Sequence, residues 1–500
     1  MYQNFATLRE HMQAVAIAQQ PPISFTYGGQ LFPCGFEQIG EHEYIHKETD
    51  LAFWLEVFTY GDDSSAVEWT AHFENRSETD SLIIEDIRVL DYTLPYFPEA
   101  WVGSLNGTTA QITDFGYNEE KMSTSGMRST GSRQIVPFVN IGTTANTGFV
   151  LGIGWTADWA IDYTVSEKEN IINVKCGMPQ THFLLHPGES VRQPRIMMLF
   201  WESNRERGQN MCRRHLVINH IPKNEKGEPY PPICCNAWGG MKAEHHKDYC
   251  EFIKKNDLKF DYYWIDAGWY GPDHETEEFQ NFYTEDWAYN IGEWRVNRAV
   301  YPNGMLEVSN AVHDAGMKLL LWFGTYDCNA EIGWHRDHPE WSMPLPGPHG
   351  IGLNPKLTRL TRINISIPEA RRWLMETIGG LMEENQVEGY REDCGIPYAG
   401  CDEPDRIGIA DITSVTALYE IWDSFRERIP GLVIDNCGGG GSRIDLETLS
   451  RAYVLWRSDY SCDPNHDPIG AQIGNCGLGR FVPLIVAQLS RQKSKIFIMN

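Results

Sequence analysis

The chain has 500 residues, which at roughly 100 to 200 residues per domain allows two to four domains with apolar cores. Its 42 Lys and Arg against 68 Asp and Glu give a net charge of −26, which argues against nucleic acid and anionic membranes as partners. No stretch reaches the roughly 18 apolar residues of a membrane helix. Arg9, Glu10 and His11 stand where a signal peptide would be apolar, which favours a cytoplasmic protein.

The N-terminal part has the pattern of a β-structure. Residues 24 to about 200 alternate short β-rich runs with polar turns, and Phe53, Leu55 and Val57 follow the period of two that is typical of a half-buried strand. This pattern predicts an antiparallel β-sandwich over residues 1–205.

A linker is predicted next. The polar, Arg-rich stretch 201–216 suits a connecting helix, and the turn-forming stretch 223–232 follows it. The domain boundary is therefore expected within residues 206–230.

From Ile233 onward, short apolar runs alternate with amphipathic stretches, which indicates parallel strands covered by helices. The candidate strands are 233–238, 260–269, 317–324, 387–393, 431–439, 453–459 and 481–486, and the candidate helices are 307–316, 368–384 and 411–428. Seven strands favour a (β/α)8-type barrel over residues 231–500. Too few residues follow 486 for another helix and strand, so the barrel is predicted to be incomplete at its C-terminal end or completed unconventionally.

Three aspartates close apolar runs of this predicted barrel: Asp266, Asp393 and Asp459. Catalytic groups of such barrels cluster at the carboxyl ends of the strands, so Asp393 and Asp459 should face one basin. A carboxylate pair can act as nucleophile and general acid/base on a glycosidic bond. Aspartates that only cap helices or satisfy loops would explain the same positions.

Other motifs point away from cofactors. The stretch CGGGGS at 437–442 lacks the ending of a phosphate-binding loop, so we expect its glycines to let the backbone approach a ligand, with a flexible turn as the alternative. The 12 Cys show no CxxC spacing. Four histidines are candidate metal ligands but have no third ligand at a recognisable spacing, namely His245, His246, His335 and His338. The sequence therefore predicts neither a metal nor an organic cofactor.

Six motifs in register resemble the barrel of glycoside hydrolase family 36: IGEWRVNRAVYPNGM at 291–305, WHRDHPEW at 334–341, NISIPEAR at 364–371, GYREDC at 389–394, IDNCGGGGSRIDLETL at 434–449 and LWRSDYSCD at 455–463. The stretch AVEWTAHFENRSETDSLIIEDI at 66–87 resembles that family's N-terminal β-sandwich. The resemblance implies a retaining α-galactosidase that needs no cofactor and acts on α-galactoside-containing oligosaccharides.

The resemblance also implies roles for individual residues. Asp393 matches the nucleophile of the family. The family's commonest motif there is Lys-Trp-Asp, and this chain has Arg391-Glu392-Asp393. Asp459 matches the acid/base in a Trp-x-Ser-Asp motif. A retaining pair should have its carboxyl groups about 5 to 5.5 Å apart. The implied substrate contacts are Asp266, Trp238, Trp341, Arg391, Cys437, Gly439 and, less closely matched, Arg359.

Two departures from the family pattern affect specificity. The usual Asp-Asp-Gly-Trp is here Asp266-Ala267-Gly268-Trp269, which removes one carboxylate acceptor, and the usual Glu-Pro-Glu is replaced at 324–327, which is expected to change the pocket rim. Alternatives are thus an α-N-acetylgalactosaminidase or a β-L-arabinopyranosidase, a sugar transferase on another α-glycoside, or a truncated, catalytically silent carbohydrate-binding protein. A homo-oligomer is left open, since no stripe identifies an interface.

Overall fold

The computed structural model describes residues 22–61, 64–144, 146–224, 226–273, 286–343, 360–393, 402–462 and 465–484. Its N-terminal part consists of antiparallel strands in sheets of ten, five and four strands. Strands β1 to β18 are Ser24–Tyr27, Gln30–Leu31, Phe36–Gln38, Glu43–His46, Leu51–Thr59, Ala66–Asn75, Ile84–Arg88, Leu90–Pro95, Trp101–Leu105, Tyr117–Lys121, Ser125–Thr130, Phe138–Thr144, Thr147–Gly154, Asp158–Ser166, Ile171–Gly177, His182–Phe183, Ser190–Arg192 and Arg195–Glu202.

The alternation that predicted strands reappears in the burial of β5. Phe53 and Leu55 are buried and face the core, and β5 pairs with β6 over nine residues. Apolar side chains from the sheets fill the interior between them, including Trp69, Phe73 and Trp159. This part of the chain confirms the predicted antiparallel β-structure.

The second part carries the remaining strands, β19 to β26, which are Cys234–Ala237, Tyr262–Ile265, Lys318–Phe323, Asp327–Asn329, Leu360–Arg362, Gly389–Glu392, Arg406–Ile407 and Val433–Asn436. Five of them form a parallel sheet in the order β19, β20, β21, β24, β26, as expected of consecutive β/α units. Strand β25 instead pairs with β16 and thereby joins the N-terminal five-stranded sheet. The two parts of the chain therefore share a sheet.

Helices cover the parallel sheet. Helices α1 to α9 are Arg205–Asn219, Ala243–Lys255, Asp286–Tyr289, Met305–Asp314, Gly333–Asp337, Pro368–Glu384, Ile409–Arg428, Leu446–Leu449 and Pro468–Leu478. The predicted connecting helix corresponds to α1, and the three predicted barrel helices correspond to α4, α6 and α7. None of the helices in the described ranges is both long and apolar enough to span a bilayer.

Two of the seven predicted strands are not formed by the residues that the structure describes. At 453–459 a single parallel bridge joins Tyr453 to Asp435, and the ladder ends because the Asp435 side chain takes the N–H of Leu455 at 3.0 Å. At 481–484 the N–H groups of Phe481 and Val482 bond back to Leu478 and finish helix α9. The described part of the barrel therefore has five parallel strands and a one-residue sixth.

Candidate active site

The strand ends bring the three predicted aspartates to one edge of the parallel sheet. Asp266 follows β20, and Asp393 follows β24, two strands along the sheet. Asp459 opens a short 3-10 turn, Asp459–Cys462, six residues after the bridge at Tyr453. The carboxyl ends of parallel strands meet at one edge, so this edge carries the candidate site.

Asp393 is held from two sides by hydrogen-bond donors. Its Oδ2 accepts from Trp322 Nε1 at 3.1 Å, and its Oδ1 accepts from the backbone N–H of Gly439 at 2.9 Å. Arg391 Nη2 lies 3.8 Å from Oδ2. The side chain remains 21% exposed, so an orientated carboxylate is open to a ligand.

The register of the parallel sheet explains the position of the Arg391 guanidinium. Arg391 stands beside Trp322 on one neighbouring strand and beside Asp435 on the other. Side chains at one level of a parallel ladder point to the same face, and Arg391 forms an ion pair with Asp435 there. Its guanidinium also lies 4.0 Å from the ring centre of Trp264, so it is buried beneath Asp393 and fixed on several sides.

The carboxyl group of Asp459 has a hydrogen-bond donor and a raised pKa. Trp456 Nε1 donates to its Oδ1 at 2.8 Å. Burial, followed by the negative charge of Asp393, raises the pKa of Asp459 to about 6. The negative charge of Asp393 thus favours the protonated form of Asp459.

The glycine stretch lies between these carboxyl groups. Residues 438–441 all have left-handed φ angles, from 56° to 83°, which L side chains rarely adopt. A Cβ on Gly440 would lie 2.7 Å from Asp459 Cγ, while Gly439 donates to Asp393. The backbone thus comes close to both carboxyl groups, while its approach to a ligand stays a prediction. Cys437 Sγ stabilises the turn by accepting from the Gly440 N–H at 3.3 Å.

Asp266 belongs to the same electrostatic neighbourhood. Its pKa is raised above the usual value, mainly by burial and also by the charge of Asp393. Arg391 and a hydrogen bond from Asn236 Nδ2 at 3.1 Å oppose this shift. Trp238 follows the adjacent strand β19 and packs edge-on against Trp287, with ring centres 6.5 Å apart. The indole nitrogen of Trp238 has no hydrogen-bond partner in the described part of the chain.

One predicted contact residue, Trp341, has its described contacts elsewhere. The Trp341 ring stacks on His338 at 3.8 Å and also contacts Trp373, and its described contacts include none of the aspartates. Arg359 lies outside the described residues. Both assignments stay predictions.

The segment 324–327 is placed differently from the prediction. Tyr326 is fully buried, and its hydroxyl donates to Glu392 Oε2 at 2.7 Å. Thr325, also fully buried, bonds to Tyr390, which donates to the same carboxylate oxygen. This departure therefore changes the packing behind the Asp393 strand, and the expected change at a pocket rim is wrong for these two side chains.

Sequence reasoning missed Trp322, although it orients Asp393. Its signal was a Trp at the carboxyl end of the third barrel strand, within an apolar run that suggests only core packing. Asp435 and Asn236 were also missed, because their roles depend on which strands are neighbours.

A model of the family described as Melibiase matches residues 192–474, more than half of the chain. The chain belongs to the melibiase family. Alpha-galactosidase Mel36A of Lactobacillus acidophilus is 22% identical over 351 residues, which cover 67% of this chain and 45% of that protein. The alpha-galactosidase of Escherichia coli is 26% identical over 254 residues, which cover 50% of this chain and 33% of that protein. The melibiase-family chain thus spans less than half the length of these relatives.

Solved structures share the fold. The glycoside hydrolase family 36 alpha-galactosidase AgaA of Geobacillus stearothermophilus has a TM-score of 0.73 at 16% identity, covering 95% of this chain and 70% of that chain. A variant of AgaA in complex with raffinose gives the same score and covers 93% of this chain and 67% of that chain. The predicted resemblance to family 36 and the predicted fold class, a β-domain followed by a barrel-type β/α domain, are confirmed.

One cluster in the described residues has the composition of a metal site. His215 and His220 place their Nε2 atoms 2.7 Å from the same Oε1 of Glu68, and Arg195 lies 2.6 Å from Oε2. Ligand atoms on a tetrahedral zinc ion would be more than about 3 Å apart. Burial opposes ionisation, but the histidines and Arg195 hold the pKa of Glu68 below its usual range. We interpret the cluster as a hydrogen-bonded ion-pair network in this melibiase-family chain.

Proposed function

We propose that the protein is a retaining glycoside hydrolase that cleaves terminal α-galactosidic bonds by double displacement. Asp393 is the nucleophile and Asp459 the general acid/base. The observation that carries the proposal is the pair itself: Asp393 is oriented by two donors, and the neighbouring Asp459 has a pKa raised to about 6. Membership of the melibiase family supports the choice of reaction.

In the first step, an Asp393 oxygen attacks the anomeric carbon, and the bond to the leaving oxygen breaks as Asp459 gives that oxygen its proton. In the second step, ionised Asp459 takes a proton from water, and the hydroxide displaces Asp393 from the sugar. Both groups return to their starting states. The expected separation of about 5 to 5.5 Å between the carboxyl groups belongs to this proposal.

We propose α-galactoside-containing oligosaccharides as substrates, because AgaA variants bind raffinose and stachyose. Asp266 would accept from sugar hydroxyls, and the Trp238 indole N–H, which has no partner among the described residues, would donate to one. Arg391, Cys437 and Gly439 would support the ring from below. The domain boundaries 1–205, 206–230 and 231–500, the cytoplasmic location and a homo-oligomer remain sequence-based proposals.

The test is release of p-nitrophenol from p-nitrophenyl α-D-galactopyranoside by the purified chain. Asp393→Asn should reduce the rate at least about a thousandfold while leaving the circular-dichroism spectrum unchanged. The matched control is Asp50→Asn, an exposed aspartate in the N-terminal part, which should leave the rate unchanged. Equal rates for Asp393→Asn and the wild type would contradict the assignment.

A second candidate rests on Ala267, which replaces a carboxylate beside Asp266. A site that lacks an acceptor discriminates less strongly between sugars that differ at one substituent. The same assay with p-nitrophenyl α-N-acetylgalactosaminide and β-L-arabinopyranoside therefore decides among the sugars. A folded chain that binds galactose but cleaves none of the three would support a silent carbohydrate-binding protein.

A further inference from the structure

The backbone of the glycine stretch is held by side chains from the N-terminal sheets. Thr108 Oγ1 donates to the carbonyl oxygen of Gly440 at 2.7 Å, and Ser132 Oγ donates to that of Gly441 at 2.7 Å. The Ser132 N–H also donates to the Ser442 carbonyl at 2.9 Å. Thr108 and Ser132 are buried, so water does not replace these bonds freely.

Asp114 extends this support to the acid/base. Its Oδ2 accepts from Ser458 Oγ at 2.5 Å. Thr108 Oγ1, whose one hydrogen is directed mainly at the nearer Gly440 carbonyl, lies 3.2 Å from the same oxygen. The Oδ1 of Asp114 accepts from the N–H groups of Thr109 and Gln111. The Asp114 carboxyl group is thus fixed by its own loop. It accepts from Ser458, which directly precedes Asp459.

These contacts reach both carboxyl groups of the pair. Gly439, one residue before Gly440, donates to Asp393, and Gly440 itself packs against the Asp459 carboxyl group. A small shift of this backbone would therefore change the position of one carboxyl group relative to the other. Because effective proton transfer depends on placement within hydrogen-bond reach, such a shift would be felt in catalysis.

We propose that Thr108, Asp114 and Ser132 are positioning residues that set the Asp459 carboxyl group against Asp393. The active site would then be built from both parts of the chain, although neither reacting carboxylate comes from the N-terminal sheets. This inference rests on the proposed function, since it assigns a role within that reaction.

The variants Thr108→Val, Ser132→Ala and Asp114→Asn each remove hydrogen bonds at nearly constant volume. Ser65→Ala is the matched control, because Ser65 Oγ is buried and donates to the Phe200 carbonyl at 2.6 Å, within the N-terminal sheets. Thr108→Ser restores the hydroxyl and should recover the wild-type behaviour. Circular dichroism and urea unfolding show whether each variant folds.

The decisive readout is the ratio of kcat/KM for raffinose to kcat/KM for α-galactosyl fluoride. The sugar leaving group of raffinose needs a proton from Asp459, whereas fluoride leaves with little help, and kcat/KM reports the first step for both. We expect this ratio to fall about tenfold in Thr108→Val, Ser132→Ala and Asp114→Asn, and to stay unchanged in Ser65→Ala. A merely structural defect would lower both values equally.

Two results overturn the inference in distinguishable ways. If the wild type is active and the folded variants keep the wild-type ratio, the positioning role is wrong and the proposed function stands. If the folded wild type cleaves neither compound, the proposed function fails and the inference fails with it. Ser132→Ala introduces no new heavy atom, so it decides the matter if the other variants do not fold.

Discussion

The protonation state of Asp459 is expected to set the pH dependence of the reaction. Burial and the charge of Asp393 raise the pKa of Asp459 to about 6, so the acid form that the first step requires is present below about pH 6 and disappears above it. We predict that kcat/KM for raffinose falls tenfold per pH unit above about pH 6. Initial rates from about pH 4 to 8 check this.

The pH profile of Trp456→Phe should differ from that of the wild type. The indole N–H stabilises the ionised form of Asp459, and its removal should move the descending limb to higher pH. A profile that stays flat to about pH 8 in the wild type would show that Asp459 is not the acid.

Trp322 offers a second test at the residue scale. Its indole donates to Asp393 Oδ2, and hydrogen bonds to charged groups contribute about 1.5 to 3 kcal/mol. Trp322→Phe should therefore lower kcat about ten- to a hundredfold with a smaller change in KM. Trp294→Phe is the control, because this ring packs in the same aromatic cluster while its indole nitrogen has no partner among the described residues. Equal losses in both variants would mean that packing, not the donor, matters.

Sequence patterns located the aspartates but not the groups that tune them. Asp266, Asp393 and Asp459 each end an apolar run, which is visible in one dimension. Trp322 and Asp435 act on Asp393 and Arg391 only because β21 and β26 flank β24 in the sheet. Which strands are neighbours is a property of the tertiary structure, and the spacing of residues in the sequence does not reveal it.

At the scale of elements, Glu392 ties β24 to its surroundings. Its carboxylate accepts from Trp422 Nε1 in helix α7 at 2.7 Å and lies 2.5 Å from Arg443 Nη1, with both charged side chains fully buried. Glu392→Gln would remove the negative charge that lies beside the buried Arg443 guanidinium. We predict a loss of about 3 to 5 kcal/mol in the free energy of unfolding, measured with urea.

Replacing both partners, as Glu392→Gln with Arg443→Met, should recover part of that loss because the buried cation is removed together with its counter-charge. Glu376→Gln is the control, since Glu376 is exposed and its pair with Arg428 should contribute less than about 1 kcal/mol. If Glu392→Gln costs no more than this control, the buried ion pair does not stabilise the strand.

Elements with strong local signals were predictable. Helix α6 begins with a Pro at its first position and keeps an apolar period to Glu384, and both predicted bounds are confirmed. The predicted strand at 453–459 was wrong because a side chain, Asp435, competes for a ladder N–H. Apolar runs reveal what is buried, whereas the competition for backbone partners is decided by neighbours in space.

At the scale of the whole molecule, Glu447 joins the two parts of the chain. It lies in α8, and its ion pairs are with Arg192 in β17, at 2.5 Å, and with Arg451, at 2.6 Å. Burial opposes ionisation, but these arginines lower the pKa of Glu447 to about 2. The resulting stability is fully present above the unfolded-state pKa of 4.5 and is lost as pH falls toward about 2.

Glu447→Gln should therefore be less stable than the wild type at neutral pH by about 3 kcal/mol. The difference should shrink by up to about 1.4 kcal/mol per pH unit once the pH falls below 4.5. Urea unfolding of both proteins at several pH values measures it. A difference that does not depend on pH would point to lost packing instead of lost charge.

The fold class, a β-domain followed by a barrel-type β/α domain, could be predicted from the change in hydrophobic pattern along the chain. Their interlocking could not, because β25 pairs with β16, and Thr108 with Gly440, across more than two hundred residues of chain. The candidate site is thus a property of the assembled chain, with its reacting groups on one part and some of its supports on the other.

Trapping a covalent intermediate would show whether Asp393 is the nucleophile of a retaining α-galactosidase. A 5-fluoro-α-galactosyl fluoride would slow the second step, and mass spectrometry of the digested protein would locate the sugar. We predict a fluorogalactosyl ester on Asp393, and none in Asp393→Asn. An active wild type whose label lies on another residue, or that turns over without any covalent intermediate, would contradict the claim.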